Sequence, residues 1–162
     1  MPRILRALAL LPLLAAALTA QAPLPAFTVV HPDGREVAVP AATIAAMPRV
    51  SGEAAAHGHR FTFEGVALAA VLKAAGVTPV DSLRAGQLRR VVTFHGADGY
   101  RAVIALSDLD PSIGGRSVVL VEREDGAALP DDRGPRRIIV VGDARPSRWV
   151  RQAVRVTVSD LP

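Results

Sequence analysis

The stretch of sequence that decides the fold is residues 117–158, SVVLVEREDGAALPDDRGPRRIIVVGDARPSRWVRQAVRVTV. It contains three predicted strands, at 118–122, 138–141 and 153–158. The first is a short apolar run that is typical of a buried strand. The second consists of four β-branched residues, which makes it the best candidate for a central strand. The third alternates, with Val154, Val156 and Val158 on one face, and this period predicts a half-buried strand.

The chain before residue 117 predicts further short strands and two helices. The predicted strands are 27–30, 35–39, 60–63, 90–94 and 100–106, and the predicted helices are 41–46 and 66–75. Residues 51–58 are small and polar, which predicts a loop. Eight or nine strands that do not alternate regularly with helices indicate an α+β fold, not a doubly wound parallel sheet.

The first 22 residues have the pattern of a secretory signal peptide. Arg3 and Arg6 precede an apolar run at 7–18, and Ala20-Gln21-Ala22 resembles a cleavage site. We therefore predict a signal peptide at 1–22, a folded module at 23–162, and a periplasmic or secreted protein. The alternative interpretation is an N-terminal helix that is not cleaved and stays as an anchor.

Composition excludes several function classes. The chain contains no cysteine, so disulfides, cysteine nucleophiles, iron–sulfur clusters and thiolate metal sites are excluded. The predicted mature chain keeps 17 basic and 15 acidic side chains of the 19 and 15 in the full sequence. Such a near-balance does not indicate nucleic-acid binding. The mature chain also has no apolar stretch of the ~20 residues that a spanning helix needs.

His57-Gly58-His59 is a possible metal-binding pair. If these residues lie on a strand, both imidazoles point to one face and can ligate a metal ion, with His95 or His31 completing the site. The alternative is a pair of exposed loop histidines beside a glycine. A two-residue spacing is a weak signal, so His57 and His59 are candidates only, and no metal site is predicted.

Seven arginines lie within residues 133–155, with Asp143 among them. Planar guanidinium groups suit phosphate, sulfate and carboxylate ligands, so the cluster predicts an anion site. The alternative is a solvated, arginine-rich rim. Few aromatic residues separate these arginines, which argues against single-stranded nucleic acid as the ligand.

Three segments of the chain carry motifs of one known family. The longest holds residues 117–121, Asp125-Gly126, Leu129-Pro130, Gly134-Pro135, Arg137, 138–142 and Arg148-Trp149-Val150; the others are 64–68 and 97–101. Together they resemble the oxidoreductase molybdopterin-binding domain, the sulfite-oxidase-like family. The resemblance implies layered mixed β-sheets with short helices. It also implies that Tyr100 corresponds to a tyrosine that lines the family's active-site pocket.

The chain departs from that family at the metal. The resemblance implies molybdenum held by a cysteine thiolate, and this chain has no cysteine; Val141 also replaces the family's proline before Gly142. We therefore expect an exported, non-redox relative that binds a small anionic ligand or a protein partner, with no cofactor. The alternatives are a molybdopterin-dependent oxidoreductase with non-cysteine ligation and a histidine metal-binding module. The residues that the resemblance implies for an anion or pterin pocket are Tyr100, Arg101, Arg137 and Arg148.

Overall fold

The computed structural model describes residues 24–77 and 80–161, so the predicted signal peptide at 1–22 lies outside the described residues. The helices are α1 (Ala41–Ala45) and α2 (Leu68–Ala74), with short 3-10 helices at Ala85–Arg89, Leu106–Leu109 and Pro146–Arg148. The strands are β1 (Phe27–Val30), β2 (Glu36–Val39), β3 (Arg49–Ala56), β4 (His59–Ala67), β5 (Arg90–Gly96), β6 (Arg101–Ala105), β7 (Val118–Glu124), β8 (Ala127–Ala128), β9 (Arg137–Val140) and β10 (Ala153–Asp160).

The first sheet has the strand order β2-β1-β10-β5-β6. Its central strand, β10, is parallel to β1 and antiparallel to β5. An irregularity in the pairing between Ala153 and Arg155 shifts the register there. As a result Val154 is 47% exposed while Val156 and Val158 are buried, so the prediction that all three share one face is wrong for Val154.

The second sheet has the strand order β3-β4-β7-β8, and β9 pairs with β7 outside this path. All four residues of β9 are buried: its three β-branched residues, Ile138, Ile139 and Val140, follow the expectation, and Arg137 at its start is buried with them. The expectation of a central position is nevertheless wrong. On its other side β9 has only an isolated bridge between Ile138 and Val150. The segment around Trp149 covers that side instead of a strand.

The buried side chains of both sheets and of α2 belong to one hydrophobic core. Phe94 and Val156 contribute from the first sheet, Phe63 and Leu120 from the second. One core formed by two sheets and short helices confirms the predicted α+β class. Within the described residues, none of the helices has the length and apolar character needed to cross a membrane.

Residues 51–58 form most of β3 and the turn after it, which corrects the predicted loop. Each β3 residue alternates between an exposed and a partly buried position, as a strand requires. The inward positions carry small residues, because the Phe63 ring fills the space at Gly52; a Cβ there would lie 2.8 Å from Phe63 Cζ. Because these inward residues are small, the sequence lacks the alternation of apolar and polar residues that would predict a strand here. The predicted helix at 66–75 begins later, at Leu68, because β4 continues to Ala67.

Candidate functional site

Arg137, at the start of β9, lies against two aromatic rings. Its guanidinium carbon is 5.5 Å from the ring centroid of Phe61 and 5.5 Å from that of Trp149. The two rings meet edge to face with centroids 6.2 Å apart. The indole N–H of Trp149 donates to the carbonyl of Val140 at 3.0 Å, which fixes the ring. Only 6% of Arg137 is exposed, so this cation is held by stacking and by its ion pair.

Glu124, the last residue of β7, is the carboxylate of that ion pair. Arg137 Nη1 donates to Glu124 Oε1 at 2.5 Å, and Arg133 Nη2 lies 3.4 Å from Oε2. Arg151 approaches the same area and pairs with Asp98 at 3.5 Å. We call Arg133, Arg137 and Arg151 the arginine cluster. Three guanidinium groups share two carboxylates there.

The electrostatics of the arginine cluster leave positive charge uncompensated. Burial lowers the pKa of Arg137, Glu124 opposes that effect, and the positive charges of Arg133 and Arg151 add to the lowering. Nε of Arg133 and Nε of Arg137 are buried without a hydrogen-bond partner among the described residues. The side chains of Arg133 and Arg151 are 38% and 57% exposed. The guanidinium groups outnumber the nearby carboxylates, and their exposed N–H donors are suited to bind an oxyanion.

Tyr100 and Arg148 lie beside each other but are engaged within the protein. The Tyr100 hydroxyl donates to the carbonyl of Ser147 at 2.5 Å. Arg148 donates from Nε to Asp143 Oδ2 at 2.9 Å, and its Nη2 donates to Oδ1 of the same residue. The hydrogen bond that Arg148 donates to Asp143 is the main cause of the raised pKa of Arg148. Arg116 Nη1 also contacts Asp143, at 3.3 Å.

Arg101 lies apart from the other predicted site residues. It pairs with His95 across β5 and β6, on the face of the first sheet opposite the buried Phe94. Burial lowers the pKa of His95, and the positive charges of Arg155 and Arg101 lower it further. The His95 Nε2 atom is 3.0 Å from Thr157 Oγ1. Arg101 and Arg155 therefore flank His95 as two cations on this outer face.

Of the four predicted residues, only Arg137 belongs to the arginine cluster. Arg133, Arg151 and Glu124 were not singled out from the sequence. The arginine-rich stretch contained the signal for the first two, because both lie within 133–155. Glu124 carries no separate signal in the sequence, where it is one of several acidic residues beside Asp125 and Gly126.

His57 and Gly58 form the two-residue turn between β3 and β4, with φ angles of 52° and 80°. The two histidines therefore do not share one strand, which was the condition for a metal-binding pair. The ring of His59 instead stacks on Phe61, with centroids 6.3 Å apart. In residues 24–77 and 80–161, no group of three His, Asp or Glu side chains is placed to hold a metal ion.

A groove of about 570 Å³ separates this turn from the segment before Trp149. Residues 55–58 form one wall and residues 144–147 the other. Most of these residues are small or apolar. The polar side chains that line the groove belong to His57, Arg145 and Ser147.

A family model described as the oxidoreductase molybdopterin binding domain matches residues 40–162. Among solved structures, the sulfane dehydrogenase SoxCD from Paracoccus pantotrophus matches 85% of this chain, with a TM-score of 0.63 and 18% sequence identity. The match covers 38% of that chain, so this protein spans well under half of its length. No curated protein matches the sequence.

The residues of this chain are a poor fit to molybdopterin. The donor set lacks the thiolate that the resemblance implies for molybdenum, because the sequence contains no cysteine. Three of the four donors implied for a pterin pocket are already engaged, Tyr100 with Ser147, Arg148 with Asp143 and Arg137 with Glu124, and the fourth, Arg101, lies apart from them on the first sheet. The fold resembles that of a larger enzyme, while the side chains do not form that cofactor's ligand set.

Proposed function

Because the chain belongs to the oxidoreductase molybdopterin-binding-domain family, we propose that it is an exported, non-redox member that binds a small ligand bearing an oxyanion. The observation that carries the proposal is the arginine cluster. Arg133 and Arg151 offer exposed donors around the buried Arg137–Glu124 pair, and cationic charge exceeds anionic charge there. Small sulfate monoesters, phosphate monoesters and carboxylates carry the matching negative charge, and each has two oxygens that can accept a bidentate pair of guanidinium N–H groups.

The expected affinity is modest. Hydrogen bonds to charged groups contribute about 1.5–3 kcal/mol each, and an exposed ion pair contributes ~1 kcal/mol or less. Arg133 and Arg151 are partly exposed, so each contact lies between these limits. Two such contacts support selective but weak binding, which salt screens. The competing interpretation of a solvated rim predicts nonspecific binding with equal contributions from all surface arginines.

The non-redox assignment rests on the chemistry of the donor set. Tyr100, Arg137 and Arg148 are committed to internal hydrogen bonds, and the sequence offers no thiolate. An oxidoreductase with non-cysteine ligation needs free donors near Tyr100, where the hydroxyl already donates to Ser147. Ligand binding without redox chemistry is therefore the proposal that the side-chain contacts support best.

Titration calorimetry with phenyl phosphate and phenyl sulfate tests the ligand class. We expect Arg133→Gln and Arg151→Gln each to weaken binding by about tenfold, the effect of ~1.4 kcal/mol. Arg89→Gln is the matched control, because Arg89 is exposed in a 3-10 helix on another part of the surface. Equal, salt-screened millimolar binding by all three variants would contradict the anion site and support the interpretation of a solvated, arginine-rich rim.

Export is proposed from the pattern at residues 1–22. The fold is compatible with cleavage near residues 20–23, because β1 begins at Phe27 and the Pro25 carbonyl accepts a hydrogen bond from Arg136. Intact-mass measurement of the native protein is expected to place its N-terminus at residues 20–23, and elemental analysis of the same sample to find far less than equimolar molybdenum. A product that begins at Met1 in the cytosol would contradict export, and equimolar molybdenum would contradict the non-redox assignment.

A further inference from the structure

The edge of the second sheet at β3 is unusually open. β3 pairs with β4 on one side only, and its eight residues make it longer than the other edge strands of the described sheets, β2, β6 and β8. An open edge presents backbone N–H and C=O groups to any extended chain, and proteins commonly block such edges with proline, lysine, a bulge or a short strand. Between residues 50 and 56, β3 has none of these features, and its one charged side chain is the exposed Glu53, which lies 3.9 Å from Arg60.

The register identifies the free backbone groups. The two-residue turn makes Ala56 and His59 a hydrogen-bonded pair, and such pairs alternate along an antiparallel ladder. Ser51, Glu53 and Ala55 therefore turn their N–H and C=O groups away from β4. None of these three makes another backbone hydrogen bond within the described residues. Their side chains are exposed and, except for Glu53, small.

The free edge leads into the groove described above. Ala55 is both the last free position on β3 and part of the groove wall, and Arg145 and His57 lie in the same groove. Arg145 has no carboxylate within 4.0 Å in the described part of the chain, unlike Arg148 and Arg151 nearby. A strand added beside β3 would thus bring one end towards an uncompensated guanidinium group.

We propose that β3 is a docking edge for an extended segment of a partner protein, with a carboxylate at the end that meets Arg145. The segment adds as an antiparallel strand, the commoner arrangement, so its N-terminal end carries the acidic residue. Backbone hydrogen bonds to Ser51, Glu53 and Ala55 provide affinity, and the charge at Arg145 fixes the register. This site is separate from the arginine cluster and does not depend on the oxyanion proposal.

A second copy of this chain is a less suitable occupant. Antiparallel self-pairing that uses all three free positions of both copies must place Ser51 opposite Ala55 and Glu53 opposite Glu53. Like charges directly opposite each other on neighbouring strands are destabilising. The edge therefore suits a foreign strand better than its own copy.

The test uses two heptapeptides, acetylated and amidated at their ends: Asp-Gly-Thr-Val-Thr-Val-Thr and the same sequence beginning with Asn. We expect the Asp peptide to shift the backbone amide resonances of Ser51, Glu53, Ala55 and the groove residues in the full mature protein. The Asn peptide is expected to bind about tenfold more weakly, because it lacks one charge-assisted contact.

Two variants separate the backbone from the charge. Ala55→Pro removes a free N–H at a position where an edge strand tolerates proline, and it should abolish binding of both peptides. Arg145→Glu should abolish the preference for Asp, while Arg89→Glu should change nothing. Equal binding of the two peptides, or shifts at β6 instead of β3, would overturn the proposal. A dimer in sedimentation that Ala55→Pro dissociates would overturn it in favour of a second copy.

Discussion

Replacing Arg137 with alanine is expected to lower the free energy of unfolding by about 3–5 kcal/mol, the usual effect of breaking a buried ion pair. The substitution leaves Glu124, which is 8% exposed, with only Arg133, whose Nη2 lies 3.4 Å from Oε2 and whose side chain is 38% exposed. It also removes the cation from between Phe61 and Trp149. Urea denaturation followed by the fluorescence of Trp149, the only tryptophan, measures the change.

Two further variants show whether the buried charge is the cause. Replacing both partners, Arg137→Leu with Glu124→Leu, should recover much of the loss, because apolar residues of similar volume can replace a buried pair. Arg60→Ala is the exposed control. Arg60 lies 3.9 Å from Glu53 at the surface, so its loss should cost under about 1 kcal/mol. A loss for Arg137→Ala no larger than this control would contradict the assignment of a structural ion pair.

The second large effect is expected at Gly65, where β4 and β7 pair irregularly. A Cβ at this position would lie 2.1 Å from the carbonyl oxygen of Leu120 and 2.7 Å from the Cα of Val121. Both atoms belong to the backbone, so the two strands must separate to admit a methyl group. We expect Gly65→Ala to destabilise the protein at the upper end of the about 1–3 kcal/mol that overpacking costs. Thermal and urea unfolding measure the effect.

Gly86→Ala is the matched control for a glycine without such a neighbour. A Cβ at Gly86 would meet no atom within 4 Å, and the residue lies in a 3-10 helix at Ala85–Arg89. The free energy of unfolding of Gly86→Ala should differ from that of the unmodified protein by no more than about 0.5 kcal/mol, as for other surface substitutions. Equal losses of stability in Gly65→Ala and Gly86→Ala would contradict the claim that close contact between β4 and β7 requires glycine at position 65.

The sequence supported the family and the α+β class because both depend on motifs and on local periodicity. The resemblance around residues 117–150 is confirmed by the family match over 40–162. β3 was missed for a physical reason: its inward positions at Gly52, Ala54 and Ala56 are small, so no apolar period marks the strand. The bulge at Val154 was also invisible, since a one-residue irregularity leaves the sequence pattern unchanged.

The candidate site depended on contacts that local sequence does not encode. Arg137 and Arg148 look alike in the sequence, yet one is buried against Glu124 and the other is paired with Asp143. Which arginine joins which carboxylate depends on strand register, here the pairing of Val121 with Arg137. The same register brings Arg133 near Glu124, and no property of Arg133 itself predicts that neighbour.

The placement of β10 has a consequence for the order of folding. The central strand of the first sheet is made from residues 153–160, at the far end of the described chain, and β1 is its parallel neighbour. The sheet therefore cannot close until residues 153–160 have been synthesised. Such long-range pairing forms slowly, because the chain loses the entropy of closing a large loop before any stabilising contact has formed. In a growing chain β1 and β5 therefore stay without their shared neighbour until β10 has been added.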